Sequence, residues 1–270
     1  MDDLREKYGP TALITGASSG IGLAFATCLA QQGFDLILPA RRIDRLDALA
    51  ARLRGAYGVA ITPIELDLAQ PDAPQKLLDA TTNHDIGLII SNAGFGLKGA
   101  HESNDSAAMH EMLMVNCHVP MQLAHGFIPR LRHRRSAGLG AGMLFTASVE
   151  GLIGCPYSAA YSATKALVVA LGEALWGELS PEGIDVLTLC PGATESEAAA
   201  KQGVDPAMLQ HQLPARTVAE SALEHLCEGP TYISSDHYRA SFAALTAMPR
   251  RDALRAMAQG MKPQRLSPRI

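Results

Sequence analysis

Apolar residues cluster in short runs of five or six that recur along the chain, at 11–15 (TALIT), 35–40 (DLILPA), 61–66 (ITPIEL), 86–90 (IGLII), 142–147 (GMLFTA) and 185–190 (DVLTLC). None alternates strictly between polar and apolar, the pattern of strands covered on both faces. Between them lie segments of helical length and periodicity at 22–32, 43–53, 104–131, with room for a break in the third, and 162–179. Strand and helix in alternation predict an α/β fold, a doubly wound parallel sheet with helices on both sides. No repeat, low-complexity tract or linker divides the chain, so residues 1–270 are expected to form a single domain. After Pro191 the alternation is lost; 193–213 is expected to act as a substrate lid and 240–270 as an atypical C-terminal tail.

Composition narrows the partners more than the fold. With 47% apolar and 19% charged residues in 270, one core can be buried without metals or disulfides. A net charge of −4 provides no general attraction to nucleic acid or an anionic membrane, which leaves a small molecule as the expected partner. Cys28, Cys117, Cys155, Cys190 and Cys227 are odd in number, scattered and without a CxxC pair. They read as reduced thiols used as small core hydrophobes, and no zinc site is expected. The opening MDDLREKYGP lacks the apolar stretch of a secretory signal, and no apolar run reaches the ~18 residues of a membrane span. The expected location is the cytoplasm.

Directly after the first run comes TGASSGIG, residues 15–22, opening into a helix. Glycines at this junction give a tight turn, let backbone approach a pyrophosphate and allow close helix packing, while the helix start supplies free N–H groups. Gly16, Gly20 and Gly22, with Ser18, Ser19 and Ile21, are therefore candidate contacts of a dinucleotide. An acidic residue ending the second strand would select the ribose 2′-hydroxyl. The chain instead has Ala40, Arg41 and Arg42. Arg41 is assigned to a 2′-phosphate, so NADP(H) is expected over NAD(H); the alternative is that both arginines form a solvated helix entry.

Tyr161 and Lys165, four apart at the start of a helix, lie on one face of it. A free phenol, with a pKa of about 10, transfers protons poorly near neutrality, and a neighbouring ammonium lowers that value. Ser148, thirteen residues upstream at a strand end, offers a hydroxyl to a substrate oxygen.

With Asn92-Ala93-Gly94, Asn116 and Pro191-Gly192 added, these motifs stand in the order and spacing of the short-chain dehydrogenase/reductase family, which the chain resembles over about residues 10–195. The resemblance implies a Rossmann fold and a catalytic tetrad. Tyr161 would be the general acid for reduction and Ser148 would polarise the carbonyl. Lys165 would hold the nicotinamide ribose and lower the tyrosine pKa, and Asn116 would position a water leading toward Lys165. It further implies Asp67 near the adenine, Asn92, Ala93 and Gly94 lining the cofactor at the sheet centre, and Pro191, Gly192 and Thr194 bracketing the carboxamide. The residues alone leave Asp67 open as a helix cap, and Asn92 and Asn116 as structural hydrogen-bonding groups. A homodimer or homotetramer through the helices at 104–131 and 162–179 is also implied.

The chain departs from the family at several points. Ala147-Ser148 stands where many relatives have two serines, and Glu150 occupies a place often small and apolar, where it would either recognise a polar group or point to solvent. The resemblance further places Phe95, Gly96, Leu97, Leu152 and Ile153 in an apolar wall around the nicotinamide with Glu150 as its one charge, which implies a largely apolar ketone, aldehyde or alcohol as substrate; periodicity alone leaves Leu152 and Ile153 open as core residues. Leu254, Met257 and Met261 in the basic tail are expected to pack as a helix on the domain, in preference to a membrane-surface role. Overall, an NADP(H)-dependent carbonyl reductase or alcohol dehydrogenase is expected. A catalytically silent dinucleotide-binding regulator would not need the intact Ser148, Tyr161 and Lys165, and a serine hydrolase would need a GxSxG elbow that Ser148 lacks.

Overall fold

The computed structural model describes residues 4–197 and 210–261. Seven parallel strands form one sheet in the order β3-β2-β1-β4-β5-β6-β7, namely β1 (Thr11–Ile14), β2 (Asp35–Ala40), β3 (Ile61–Glu65), β4 (Ile86–Ser91), β5 (Ala141–Thr146), β6 (Ile184–Leu189) and β7 (Thr231–Tyr232). The first six coincide with the apolar runs to within one or two residues. The two-residue β7 carries too little periodicity to be read from sequence and pairs only at Thr188 and Leu189.

Period-two alternation sends successive residues of each strand into two different cores. Ala12, Ile14, Leu36, Leu38, Leu88, Ile90 and Leu144 face one side, where they meet α2 (Gly20–Gln31), α3 (Ile43–Tyr57) and α8 (Ala215–Glu224). Leu13, Ile37, Ile89, Met143 and Phe145 face the other, under α4 (Ala73–Ala80), α6 (Val119–Ser136) and α7 (Ala159–Leu179). Strands buried on both faces leave no polar register, which is why their sequences do not alternate. The expected long helix at 104–131 is broken: α5 (Ser106–Leu113) runs into a five-residue π-helical turn, Met114–His118, before α6 begins.

At the N-terminal edge the short helix α1 (Leu4–Tyr8) closes the sheet, and the buried Arg134 of α6 donates to the carbonyls of Gly9 and Gly140 and to Asp85. In the tail, α9 (Asp236–Ala247) and α10 (Arg250–Met261) pack back onto the second core, Leu254, Met257 and Met261 among the contacts. Lys201 and residues 262–270 lie outside the described residues, as do 198–209 of the expected lid. Of the basic tail residues, Arg250, Arg251 and Arg255 are described. Among the described residues no helix is long and apolar enough to cross a membrane. The five cysteines are free, four of them buried.

Candidate active site

The chain leaves β1, builds outward to β3, then returns to place β4 on the other side of β1, so a crevice opens at the C-terminal ends of β1 and β4. Thr15 ties its two lips together. Its Oγ1 accepts from the backbone N–H of Asn92 and of Ala93, each at 2.9 Å, and its carbonyl accepts from Asn92 Nδ2 at 3.1 Å. Gly16 has φ +72°, and a Cβ there would stand 2.9 Å from Ala93 Cα. One at Gly22 would fall 2.4 Å from the Gly16 carbonyl oxygen and 2.6 Å from Asn92 Nδ2. The turn closes this tightly only as glycine. Ser19 enters α2 in extended backbone without capping it through its side chain, so the helix start keeps its positive end free of a side-chain cap. That is the arrangement a pyrophosphate uses.

The two arginines after β2 part company. Arg41 Nη1 donates to Glu111 Oε1 at 2.6 Å, and its Nε lies 3.9 Å from Asp67. Arg42 instead turns toward the glycine turn, where Nη2 donates to Ser18 Oγ at 2.9 Å and Ser19 Oγ at 3.1 Å. Asp67 caps its own turn, accepting from Ala69 N and Gln70 Nε2, both at 3.2 Å.

The side chains expected to act in catalysis gather on the far side of β4. The π turn pushes Asn116 inward, where Oδ1 accepts from Phe95 N at 3.1 Å and Nδ2 donates to Phe95 O at 2.9 Å and Thr164 Oγ1 at 3.0 Å. The side-chain amide is thus engaged with protein on every side and braces the β4 exit against α7. Lys165, buried, donates from Nζ to the Thr146 carbonyl at 2.7 Å. A Cβ on Gly94 would lie 3.0 Å from Asn116 Oδ1 and 3.2 Å from Lys165 Nζ, so a bare glycine backbone keeps the space between these two groups. Ser148 follows β5 and accepts from Glu150 N at 3.1 Å.

Burial pushes the Tyr161 phenol well above its ordinary range, the Glu150 charge adds to this, and the Ser148 hydroxyl works the other way. Lys165, stripped of water, is lowered to about 8. The expectation that this ammonium lowers the phenol pKa is not met in the protein by itself. Its Nζ is 5.8 Å from the ring centroid and directs one N–H to Thr146 O.

Glu150 neither faces solvent nor stands alone. Its Oε1 receives Lys98 Nζ at 2.5 Å, Lys98 also donates to Ser158 Oγ at 3.0 Å, and that ammonium sits 5.6 Å from the Tyr161 ring centroid. The wall expected to carry one charge therefore carries an ion pair. Beyond it, Pro191 O accepts from Val149 N at 3.1 Å, and Gly192 leaves room for the Tyr238 ring, 2.1 Å from where a Cβ would be. Thr194 Oγ1 donates to Gly192 O at 3.1 Å, and Glu195 and Ala193 exchange hydrogen bonds with Leu213, fixing both ends of the segment whose middle lies outside the described residues.

The structure thus brings together the glycine turn with Ser18, Ser19 and Ile21, the Asn92–Gly94 segment, Asn116, Ser148, Tyr161, Lys165 and Gly192, and sets Arg41 and Asp67 at the rim. Arg42, Lys98, Thr15 and Thr164 were not singled out from sequence as site residues. A glycine turn opening a helix at the switch point of a doubly wound sheet, with serine, tyrosine and lysine converging at the next strand end, defines a Rossmann-type oxidoreductase site. The family model of short chain dehydrogenases matches residues 10–206, and the chain belongs to that family. It is 30% identical over 254 residues to a 7beta-hydroxysteroid dehydrogenase of Clostridium sardiniense, covering 93% of this chain and 95% of that protein. A short-chain dehydrogenase from Sphingobium yanoikuyae, solved in complex with NADPH, superposes with a TM-score of 0.80 at 32% identity, covering 96% of this chain and 98% of the other. A short-chain dehydrogenase/reductase from Burkholderia phymatum, solved with NAD, superposes with 0.79 at 25% identity, covering 88% and 93%.

Proposed function

We propose that this protein is an NADP(H)-dependent oxidoreductase that interconverts a largely apolar ketone or aldehyde with its alcohol, and that its substrates include bulky ring systems of the kind named for the hydroxysteroid relative. The observation that carries the reading is that Lys165, held on the Thr146 carbonyl, and Asn116 flank the space kept open by Gly94, with Ser148 at the end of β5 and Tyr161 one turn before Lys165 on α7. The bound dinucleotide supplies or accepts the hydride. In the reducing direction Ser148 Oγ donates a hydrogen bond to the carbonyl oxygen, and Tyr161 Oη gives that oxygen its proton as the hydride reaches carbon. Lys165 provides the positive charge beside the resulting phenolate, and oxidation reverses each transfer.

The phosphate preference is assigned chiefly to Arg42, whose guanidinium already bonds to two hydroxyls of the glycine turn, with Arg41 at the rim. We further place the protein in the cytoplasm as a homodimer or homotetramer, with the exposed Leu113 and Met121 on α5 and α6 as part of the contact. Light scattering at micromolar concentration checks that assignment, and a monomer refutes it. The test of function is steady-state turnover with NADPH and NADH across hydroxysteroids, aryl and alkyl ketones, phosphorylated sugars and acyl thioesters. NADPH with an apolar ketone is expected to give the highest kcat/KM. An anionic substrate in first place, or equal use of both cofactors, overturns the corresponding half of the reading.

A further inference from the structure

The anion that Arg42 holds in this structure belongs to the chain itself. Arg42 Nη1 donates to Glu197 Oε2 at 3.0 Å while its Nη2 stays on Ser18 and Ser19. From the first turn of α3, Arg45 Nη1 reaches the other oxygen, Glu197 Oε1, at 2.5 Å. One carboxylate thus bridges two guanidiniums beside the hydroxyls of the phosphate-binding turn, five residues beyond Gly192. The side chains of Arg42, Arg45 and Glu197 are 35%, 50% and 41% exposed, so the bridge is reachable from solvent and each ion pair is weak.

We propose that Glu197 is a specificity-determining residue of the nucleotide site: an internal carboxylate that occupies Arg42 and Arg45 until a ribose 2′-phosphate displaces it, and that a 2′-hydroxyl leaves in place. The inference rests on the assignment of Arg42 to the phosphate. A phosphate monoester carries about −1.5 to −2 charges and three acceptor oxygens, against one charge and two oxygens for the carboxylate, so it outcompetes Glu197 for the same two forks. A neutral hydroxyl has nothing to offer in exchange for two ion pairs. Glu197 therefore costs affinity for the phosphorylated nucleotide, and it lowers the background charge that would draw other anions to the empty forks.

The experiment is calorimetric titration of the full chain with 2′,5′-ADP and with 5′-AMP at one low salt concentration, using the parent, E197Q and R42M. E197Q is expected to bind 2′,5′-ADP about three- to tenfold more tightly, as fits the loss of two partly exposed ion pairs, with 5′-AMP changed by less than about twofold. The proposal is overturned if E197Q leaves 2′,5′-ADP binding unchanged, weakens it, or tightens both nucleotides alike. The underlying assignment is read separately: R42M should reduce the advantage of 2′,5′-ADP over 5′-AMP by about tenfold. An advantage untouched by R42M removes the assignment itself, whereas a normal R42M response beside an inert E197Q removes only the role of Glu197.

Discussion

Two tyrosines, each with a lysine beside it, sit at opposite ends of the same sheet and lead different lives. Tyr8, fully buried at the N-terminal edge, donates to Asp185 Oδ2 at 2.7 Å, and Lys7 binds the same oxygen at 2.7 Å with its ammonium 5.1 Å from the Tyr8 ring centroid. At the C-terminal edge Tyr161 has Lys165 at 5.8 Å and Lys98 at 5.6 Å from its ring, but the carboxylate nearby, Glu150, is turned onto Lys98. The lysines respond in opposite directions. Burial opposes the charge of Lys7, yet Asp185 and Cys227 hold its pKa above the ordinary value; burial of Lys165 is met by only a carbonyl at Thr146, and its pKa falls to about 8. Where a carboxylate satisfies both partners the pair is a fastener, and where it is withheld the proton remains available for chemistry.

The largest effect that follows is on turnover. Tyr161→Phe should lower kcat by about 10²- to 10⁴-fold, because the general acid is gone, with little change in NADPH affinity by fluorescence titration. A variant retaining more than about a tenth of parental kcat would place the proton donor elsewhere.

The two lysines also make opposite pH predictions. Lys165 titrates near 8 in the folded chain against 10.5 in a free chain, so between those values the unfolded state binds more protons, and stability rises with pH by up to about 3 kcal/mol. Below about pH 8 the full cost of burying the ammonium is present. Lys7, with its pKa raised, stabilises the fold at lower pH and loses that contribution as pH climbs through its folded value. Denaturant unfolding should therefore show a rising component from about pH 8 to 10.5 that is missing from Lys165→Met, and a fall above pH 10.5 that is missing from Lys7→Met. The same loss of charge at Lys165 should make turnover decline above about pH 8.

A smaller effect tests the withheld carboxylate. Lys98→Met leaves Glu150 unneutralised near Tyr161 and should move the kcat/KM profile toward higher pH, with a loss of about tenfold at neutrality. Glu150→Gln should move it the other way, and the double variant should return close to the parent. If both single variants shift the profile in the same direction, the ion pair acts by shaping the wall and not by its charge.

How much of this was open to reading from sequence follows the length of the patterns. Apolar runs of five or six residues betrayed six strands, although β3 at the sheet edge is buried only at Ile61, and the glycine turn lay at the end of the first because a helix start must be bare there. The division of labour between Arg41 and Arg42 was less visible, though period two contained it. Leu36, Leu38 and Ala40 face the core that carries α2, so Arg42 continues toward the turn while Arg41 goes to the opposite side and finds Glu111 on α5. Lys98 and Glu150 are 52 positions apart, one on a loop and the other in a three-residue 3-10 turn, where no periodicity reports who meets whom. The π turn that delivers Asn116 likewise has no signature in a helical pattern that continues on either side of it.

The last prediction concerns the fastener and is expected to be modest. Tyr8→Phe removes one hydrogen bond from Asp185 and one contact with Cys227 Sγ at 3.2 Å, but the ring keeps its packing against the start of β5, and Asp185 keeps Lys7. A net hydrogen bond is worth about 1 kcal/mol, and one to a charged acceptor somewhat more. For a chain of this size that corresponds to a Tm lower by about 2–4 °C in scanning calorimetry. Turnover should stay within about twofold of the parent, since the phenol lies at the edge of the sheet remote from Ser148 and Lys165. The variant therefore dissociates two properties that Tyr161→Phe dissociates in reverse, stability without activity against activity without stability. Should Tyr8→Phe cost more than about tenfold in kcat while the fold holds, the two ends of the sheet are coupled, and the division between fastener and proton donor fails.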